Sequence, residues 1–222
     1  MKILIIGFQR SGTTLSRRIL NCHPQVKALF HERFLLKRYK TKKALFSALN
    51  NIDPNNDNWG EKCPYYPSIR KIPVMDYINT WNEYFGNESR ILHIIRHPID
   101  VSLSAWRKRK RGTFNGPLNK YAQIMPKYIP EIDSVDNVMT FKYENLLINP
   151  DDVIPQIFEF CGLKSNVNFR KLMKKHSNPK YQSLDASRAF AYKRNAVKVK
   201  VNLTKAIKAA NKIEGPKYDL YS

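Results

Sequence analysis

The residues with the clearest chemical meaning lie near the start of the chain, in the segment Gly7–Leu15. An apolar run over residues 2–6 precedes it and predicts a buried strand, and the pattern from about Gly12 to Cys22 predicts a helix. A tight loop before a helix presents backbone N–H groups and a positive helix end to an anion, normally a phosphate. The candidate binding residues of this loop are Arg10, Ser11, Gly12, Thr13, Thr14 and Leu15.

The loop resembles a P-loop but differs from that of a nucleotide triphosphatase in one position. Such enzymes carry an invariant lysine where this chain has Thr13, and the cation here is Arg10, inside the loop. This displacement of the cation favours a phosphate-like group that is handled without Mg²⁺ and without a γ-phosphate.

A second segment, Arg96–Trp106, has the composition of another anion site. The apolar strand 90–95 ends immediately before Arg96, and Pro98 is typical of the first turn of a helix. That helix brings Ser104 beside Arg96, so that a forked donor and a hydroxyl can bind a second phosphate. Two anion sites at the ends of neighbouring strands predict a ligand with phosphate-type groups at both ends of a nucleoside.

At these two segments the chain resembles the sulfotransferases that use 3′-phosphoadenosine 5′-phosphosulfate (PAPS) and release adenosine 3′,5′-bisphosphate (PAP). Arg10–Leu15 resembles their 5′-phosphosulfate loop, and Arg96 with Ser104 resembles their 3′-phosphate motif. The resemblance covers most of residues 1–165 and is closest to the protein-tyrosine sulfotransferase branch and its bacterial relatives. Further matching segments, in chain order, are His23–Val26, Glu32, Glu61–Tyr66, Tyr143–Leu147, and Gly215 with Tyr218–Asp219.

The resemblance implies an in-line displacement at sulfur, in which an acceptor hydroxyl attacks the sulfuryl group and PAP departs. It implies that Glu32 is the general base, a role worth about 10²–10⁴ in rate, with the adjacent His31 as the second candidate. Lys62 and Arg10 are implied to stabilise the charge that builds on the bridging oxygen. Tyr143 is implied to contact the nucleotide, and no metal is implied.

Three features depart from the family pattern. Lys108 occupies a position where the closest branch has an arginine near the 3′-phosphate. Of two arginines that bind acidic peptides in that branch, only Arg38 is in register, and Phe34 stands at the other position beside Arg33. The acceptor is therefore open among tyrosine peptides, carbohydrates, lipids and small alcohols. The carboxy-terminal loop over the nucleotide has only unmatched candidates: Ser183, Ser187, Arg188, Lys193, Arg194 and Lys198.

The order of the elements predicts an α/β fold. Strands are also indicated at Val26–Phe30, Trp59–Lys62 and Val138–Lys142, and they alternate with helical patterns. We expect a single domain over residues 1–222, with a three-layer P-loop-like fold whose central parallel sheet is flanked by helices and whose sites lie at the carboxyl ends of the strands. The other predicted segments are helices over 33–49, 68–85, 151–160 and 203–213, and a ligand-ordered loop over 178–200.

The chain of 222 residues carries a formal net charge of +21. Such a charge should attract an acidic or polymeric acceptor, although it names no specific nucleic-acid partner, and part of it is the charge of a solvated lysine-rich surface. The three cysteines are widely spaced, no run is long enough to span a bilayer, and Met1 leads directly into the first strand. We therefore expect a cytoplasmic location, while the oligomeric state cannot be deduced from these features.

Two other functions are compatible with parts of the sequence. A P-loop kinase of a nucleotide or small molecule is disfavoured because Thr13 replaces the loop lysine and because Arg96 stands where a kinase commonly has an acidic metal ligand. A non-catalytic basic module for nucleic acid or polysaccharide would bind polymers in a strongly salt-dependent manner and would not prefer PAP over AMP.

Overall fold

A computed structural model describes the protein over residues 1–50, 58–65, 68–69, 71–109, 115–175 and 184–191. The strands are β1 Lys2–Phe8, β2 Val26–His31, β3 Asn58–Tyr65, β4 Ser68–Ile69, β5 Ile72–Pro73, β6 Ser89–Ile95 and β7 Val138–Lys142. Five of them form one parallel sheet in the order β2-β3-β1-β6-β7, and β4 pairs with β5 in a small antiparallel hairpin. The predicted parallel sheet is thus confirmed.

Helices cover both faces of the sheet. They are α1 Thr13–Asn21, α2 Leu35–Arg38, α3 Lys42–Asn50, α4 Val74–Phe85, α5 Pro98–Arg109, α6 Asn115–Asp133, α7 Tyr143–Ile148, α8 Pro150–Phe160 and α9 Phe169–Lys174, with 3₁₀ turns at Gly86–Glu88 and Ala186–Arg188. Among the described residues, no helix is both long and apolar enough to cross a membrane.

Strand β1 lies in the middle of the core, and all its residues are buried. Successive side chains of a strand point to opposite faces. Leu4 and Ile6 therefore belong to the core cluster that includes residues of α4 and α6, whereas Ile3 and Ile5 belong to the cluster that includes residues of α1 and α8. Burial on both faces explains why this strand is a continuous apolar run rather than an alternating one.

The strand order brings the candidate motifs to one edge of the sheet. Gly7, near the end of β1, pairs with Ile94 of β6, and on its other side it pairs with Pro64 of β3. His31, at the end of β2, is opposite Lys62 of β3. Because all these strands are parallel, the loops that follow them share the carboxyl edge, where ligands bind in open α/β sheets.

Two predicted helices differ from the structure. The segment 33–49 is divided into α2 and α3, because Tyr39 is extended, with φ −114° and ψ 98°. The helix predicted over 68–85 begins only at Val74, since the preceding residues form the β4–β5 hairpin, in which Lys71 has a left-handed φ of 74°.

Other helices were not predicted from the sequence. The 19-residue helix α6 contains Pro126 and Pro130, which normally interrupt a helical pattern. Helices α7 and α9 have six residues each, too few for a periodic signal. The predicted helix over 203–213 lies outside the described residues, as does the predicted loop over 178–200 except for residues 184–191.

Candidate active site

The loop between β1 and α1 is a tight turn in which Arg10 and Gly12 are left-handed, with φ of 77° and 114°. A Cβ atom on Gly12 would lie 2.3 Å from the ring of Tyr143, so this position requires glycine for both its conformation and its space. Helix α1 begins at Thr13, immediately after this glycine. The first N–H groups of a helix lack intrahelical acceptors, so the loop and the helix start together are suited to bind an anion.

Ser11 provides a test of whether this loop suits a phosphate. Its N–H donates to the Phe8 carbonyl over 3.0 Å, which closes the turn, while its buried hydroxyl has no hydrogen-bond partner among the described residues. A buried polar group normally has a partner, and an oxygen of a bound phosphate or phosphosulfate would supply one here. Thr13 is also buried, and Leu15 packs in the core beneath α1, so that Leu15 can offer a ligand only its backbone.

The second anion motif contacts this loop directly. The Arg96 guanidinium donates to the Arg10 carbonyl over 3.1 Å, and Arg10 Nε donates to Ser104 Oγ over 3.0 Å. The Arg96 guanidinium also lies over the Tyr143 ring, 4.1 Å from its centroid. Four residues that the sequence assigned to nucleotide binding are therefore neighbours in space, although 133 positions separate Arg10 from Tyr143 in the chain.

Two buried carboxylates stand behind Arg96. Its guanidinium lies 4.0 Å from Glu144 Oε1 and 3.9 Å from Asp100 Oδ2. Burial raises the pKa of Glu144 to about 7, although the His97 N–H donates to this carboxylate over 3.1 Å. Burial lowers the pKa of Arg10, and the charge of Arg96 acts in the same direction. Two mutually repelling cations at this edge favour a bound anion between them.

An open cavity of about 480 Å³ lies beside these cations. It contains both motif arginines and Ser104, together with the exposed side chains of Arg107 and Lys108. Arg188 is another lining residue, and the sequence had offered it only as an unmatched candidate. The lining residues are Arg10, Arg96, Asp100, Leu103, Ser104, Arg107, Lys108, Ser187, Arg188 and Ala191.

A separate pair of charged residues lies at the ends of β2 and β3. Lys62 Nζ is 2.5 Å from Glu32 Oε1 and 3.3 Å from Thr14 Oγ1. Burial acts to raise the pKa of Glu32, but the hydrogen bond and charge of Lys62 outweigh it, so this pKa lies below its ordinary value. Burial lowers the pKa of Lys62, against the opposing effect of Glu32. Lys62 therefore links the ionised Glu32 carboxylate to Thr14 in the first turn of α1.

His31 is near this pair but is not part of it. Its side chain is 50% exposed, and Nε2 lies 3.9 Å from Glu32 Oε1, beyond hydrogen-bond distance. Burial and the charge of Lys62 lower the pKa of His31. Geometry therefore distinguishes the two candidate bases, since Glu32 alone has a short contact to the buried lysine.

Sequence patterns did not indicate two residues that support this edge. Glu144 follows Tyr143, and Glu61 precedes Lys62. In the sequence, each is only one member of a segment that matches the family, without a role of its own. Both are buried, and their partners are distant in sequence, so neither could be assigned from a local pattern. Within the part of the chain that the structure describes, no three His, Cys, Asp or Glu side chains are grouped as metal ligands.

Comparison with known proteins identifies the family. The model of the sulfotransferase domain matches residues 1–209. The chain belongs to the sulfotransferase domain family. This membership agrees with the resemblance that the two anion motifs indicated, and it supports sulfotransferase activity in general.

Solved sulfotransferase structures share the fold. The sulfotransferase domain of the Synechococcus PCC 7002 olefin synthase has a TM-score of 0.58 at 20% identity, with 99% of this chain and 95% of that chain covered. The sulfotransferase domain of the curacin biosynthetic pathway has a TM-score of 0.62 at 14% identity, with 95% and 96% covered. A mouse sulfotransferase complexed with PAP has a TM-score of 0.60 at 13% identity, with 97% and 84% covered.

A relative from Aquifex aeolicus, described as an uncharacterized protein, is 25% identical over 205 residues. The match includes 72% of this chain but only 25% of that protein, so the chain spans about a quarter of the length of this relative.

Proposed function

We propose that this protein transfers the sulfuryl group of PAPS to an acceptor hydroxyl. The observation that carries the proposal is the chain of contacts from the β1–α1 loop to the second motif, in which Arg96 bonds the Arg10 carbonyl and Arg10 bonds Ser104. Arg10 is a residue of the first loop and also bonds Ser104 of the second motif, so the two anion motifs adjoin. A single ligand with phosphate groups at both ends therefore fits better than two unrelated anions.

In this proposal the donor is held at its two ends. The loop amides and the Ser11 hydroxyl bind the 5′-phosphosulfate, which agrees with the unpartnered state of that buried hydroxyl within the described residues. Arg96 and Ser104 bind the 3′-phosphate through a forked donor and a hydroxyl. Tyr143 packs against both the loop and Arg96, and so fixes their relative position.

The proposed reaction moves one proton and one sulfuryl group. The Glu32 carboxylate accepts the proton of the acceptor hydroxyl while its oxygen forms a bond to sulfur. The bond between sulfur and the bridging oxygen breaks, and the electron pair stays on the 5′-phosphate of PAP. Lys62 and Arg10 stabilise the negative charge that develops on the bridging oxygen.

Tyrosine or carbohydrate hydroxyls are the acceptors that we propose. Exposed cations follow Glu32 directly along the chain, at Arg33, Lys37, Arg38 and Lys40. An acidic peptide or an acidic polymer would be attracted to this edge, at an ionic-strength-dependent rate. The net charge of +21 supports the same class of acceptor.

Calorimetry with PAP and AMP, followed by transfer assays, tests the proposal. We expect PAP to bind at least thirtyfold more tightly than AMP, because only PAP carries the 3′-phosphate that Arg96 and Ser104 would bind, and a charge-assisted pair contributes about 2 kcal/mol or more. We also expect radiolabelled sulfuryl transfer from PAPS to at least one member of a panel of acidic tyrosine peptides and polysaccharides.

Two results would favour other functions. Phosphate transfer from ATP with Mg²⁺, without sulfuryl transfer, would identify a kinase. Equal affinities for PAP and AMP, combined with tight and strongly salt-dependent polymer binding, would identify a non-catalytic polyanion-binding module.

A further inference from the structure

The backbone that presents Glu32 is in an uncommon conformation. Glu32 has φ 53° and Phe34 has φ 52°, both in the left-handed region that residues other than glycine rarely occupy. Such a conformation persists only where the surrounding structure holds it. The Glu32 N–H donates to the Lys62 carbonyl over 3.1 Å and thus holds the start of this loop. A second anchor is needed at the far end, where α2 begins at Leu35.

Glu61 is that anchor. It is fully buried, and its two carboxylate oxygens lie 3.1 and 3.2 Å from the donating N–H nitrogen of Leu35. The Tyr77 hydroxyl also donates to this carboxylate. The carboxylate therefore accepts the Leu35 N–H, directly after the left-handed Phe34, and this N–H has no carbonyl acceptor inside the short helix α2.

Glu61 and Lys62 are consecutive in β3 and point to opposite faces of the sheet. Lys62 faces α1 and bonds the Glu32 side chain, whereas Glu61 faces α2 and α4 and accepts the backbone N–H of Leu35, three residues after Glu32. Two adjacent residues of β3 thus hold the same loop: Lys62 bonds the Glu32 carboxylate of the loop, and Glu61 bonds the loop backbone.

We propose that Glu61 is a positioning residue for Glu32: it fixes the 32–35 loop so that the Glu32 carboxylate meets Lys62 and the acceptor hydroxyl. This inference rests on the proposed role of Glu32 as general base. Burial raises the pKa of Glu61. The N–H and O–H donors that surround it require an acceptor, and a glutamine amide here would turn an NH₂ group toward one of them.

The test compares Glu61→Gln with Tyr77→Phe. Both variants disturb the same buried group, but only the first changes the acceptor of the Leu35 N–H, because Tyr77 lies in α4 and is itself a donor to the Glu61 carboxylate. We expect a lower Tm in both variants. We expect kcat for sulfuryl transfer to fall at least tenfold in Glu61→Gln and to stay within threefold of wild type in Tyr77→Phe, with the Kd for PAP within twofold in each.

Carbon-13 NMR of the glutamate carboxyls gives a readout that needs no turnover, with the Glu32 resonance assigned from Glu32→Gln. We expect the pKa of Glu32 to rise toward its ordinary value in Glu61→Gln, because the ion pair with Lys62 loosens, and to stay unchanged in Tyr77→Phe. Should Glu61→Gln not fold, Glu61→Asp is measured in its place, since its shorter carboxylate keeps the charge but withdraws from the Leu35 N–H.

The outcomes separate this inference from the proposed function. An unchanged Glu32 titration and an unchanged kcat in the Glu61 variant would overturn the positioning role. Equal losses of kcat in both variants, in proportion to their losses of Tm, would overturn it too, since they would show a purely structural role. If the wild-type protein transfers no sulfuryl group, the proposed function fails, while the Glu32 titration still decides whether Glu61 positions that side chain.

Discussion

Replacing Glu32 with glutamine should abolish most of the transfer while leaving the nucleotide bound. The carboxylate lies 2.5 Å from Lys62 Nζ, and its pKa is below the ordinary value, so in the wild type it is ionised and available as a base at neutral pH. A glutamine cannot accept the proton. The rate should therefore fall by about 10²–10⁴, which corresponds to about 3–5 kcal/mol of activation free energy.

The pH profile gives a second, independent measure of the same substitution. Since the pKa of Glu32 is lowered, the wild-type rate should remain constant as the pH falls through the range where an ordinary glutamate titrates and should decline only below it, and this acidic limb should be absent in the variant. Glu32 also raises the pKa of Lys62 through its hydrogen bond and charge, against burial. Without the Glu32 carboxylate, the effect of burial on the Lys62 pKa is less opposed, so the residual activity should begin to fall at a lower alkaline pH than in wild type.

Single-turnover transfer from radiolabelled PAPS is the assay, with PAP calorimetry beside it. Glu32 has no contact with Arg96 or Ser104, so the Kd for PAP should stay within twofold. His31→Gln is the matched control, because that side chain is adjacent but 50% exposed and 3.9 Å from the Glu32 carboxylate, and we expect it to retain at least a third of the activity. A hundredfold loss in His31→Gln, with near-normal activity in Glu32→Gln, would show that His31 and not Glu32 is the general base.

Three more substitutions test the edge of the sheet that we propose as the nucleotide site. Arg96→Ala should weaken the binding of PAP by about 2–4 kcal/mol in calorimetry, the range for a lost charge-assisted pair. Arg90→Ala, at the other end of β6, is the control and should leave the affinity for PAP unchanged. Equal affinities of the two variants for PAP would show that Arg96 is not part of the site. Gly12→Ala should weaken PAP binding more than tenfold, because its Cβ would meet an aromatic ring at 2.3 Å. Gly86→Ala, with φ 50° and nothing within 4 Å, should lower Tm through backbone strain but leave PAP binding unchanged. Normal PAP binding by Gly12→Ala would contradict the loop assignment. Burial raises the pKa of Glu144 to about 7 from 4.5, so its folded-state proton contributes stability that is complete below pH 4.5 and is lost as the pH rises through 7. Urea unfolding should therefore show that wild type loses about 2–3 kcal/mol more than Glu144→Gln between pH 5 and 8, and parallel pH profiles would contradict this.

Local patterns predicted the parts of the fold that local physics determines. The apolar runs of β1 and β6 indicate buried strands because helices cover both faces of the sheet. The helix α6 could not be predicted, since its two prolines obscure the pattern and its packing against the α5 helix compensates for them. The division of 33–49 into two helices likewise depends on the extended Tyr39 and on the contact of Glu61 in β3 with Leu35. Neither feature can be recognised from the hydrophobic periodicity of the segment.

The candidate site divides in the same way. The spacing in the first loop and the spacing from Arg96 to Ser104 pointed to anion binding, because a tight turn before a helix and an arginine–serine couple have this chemistry in any fold. The supporting carboxylates were not recognisable in advance. Glu61 bonds a backbone 26 positions earlier, and Glu144 bonds one 47 positions earlier, so their roles exist only after the sheet has brought these segments together.

A crystal structure of the complex with PAP would test most directly whether one adenosine bisphosphate bridges the two anion sites. The prediction is a single nucleotide with its 5′-phosphate on the amides of the β1–α1 loop and its 3′-phosphate within hydrogen-bond distance of Arg96 and Ser104. A nucleotide whose 3′-phosphate lies away from both of these side chains would contradict the account.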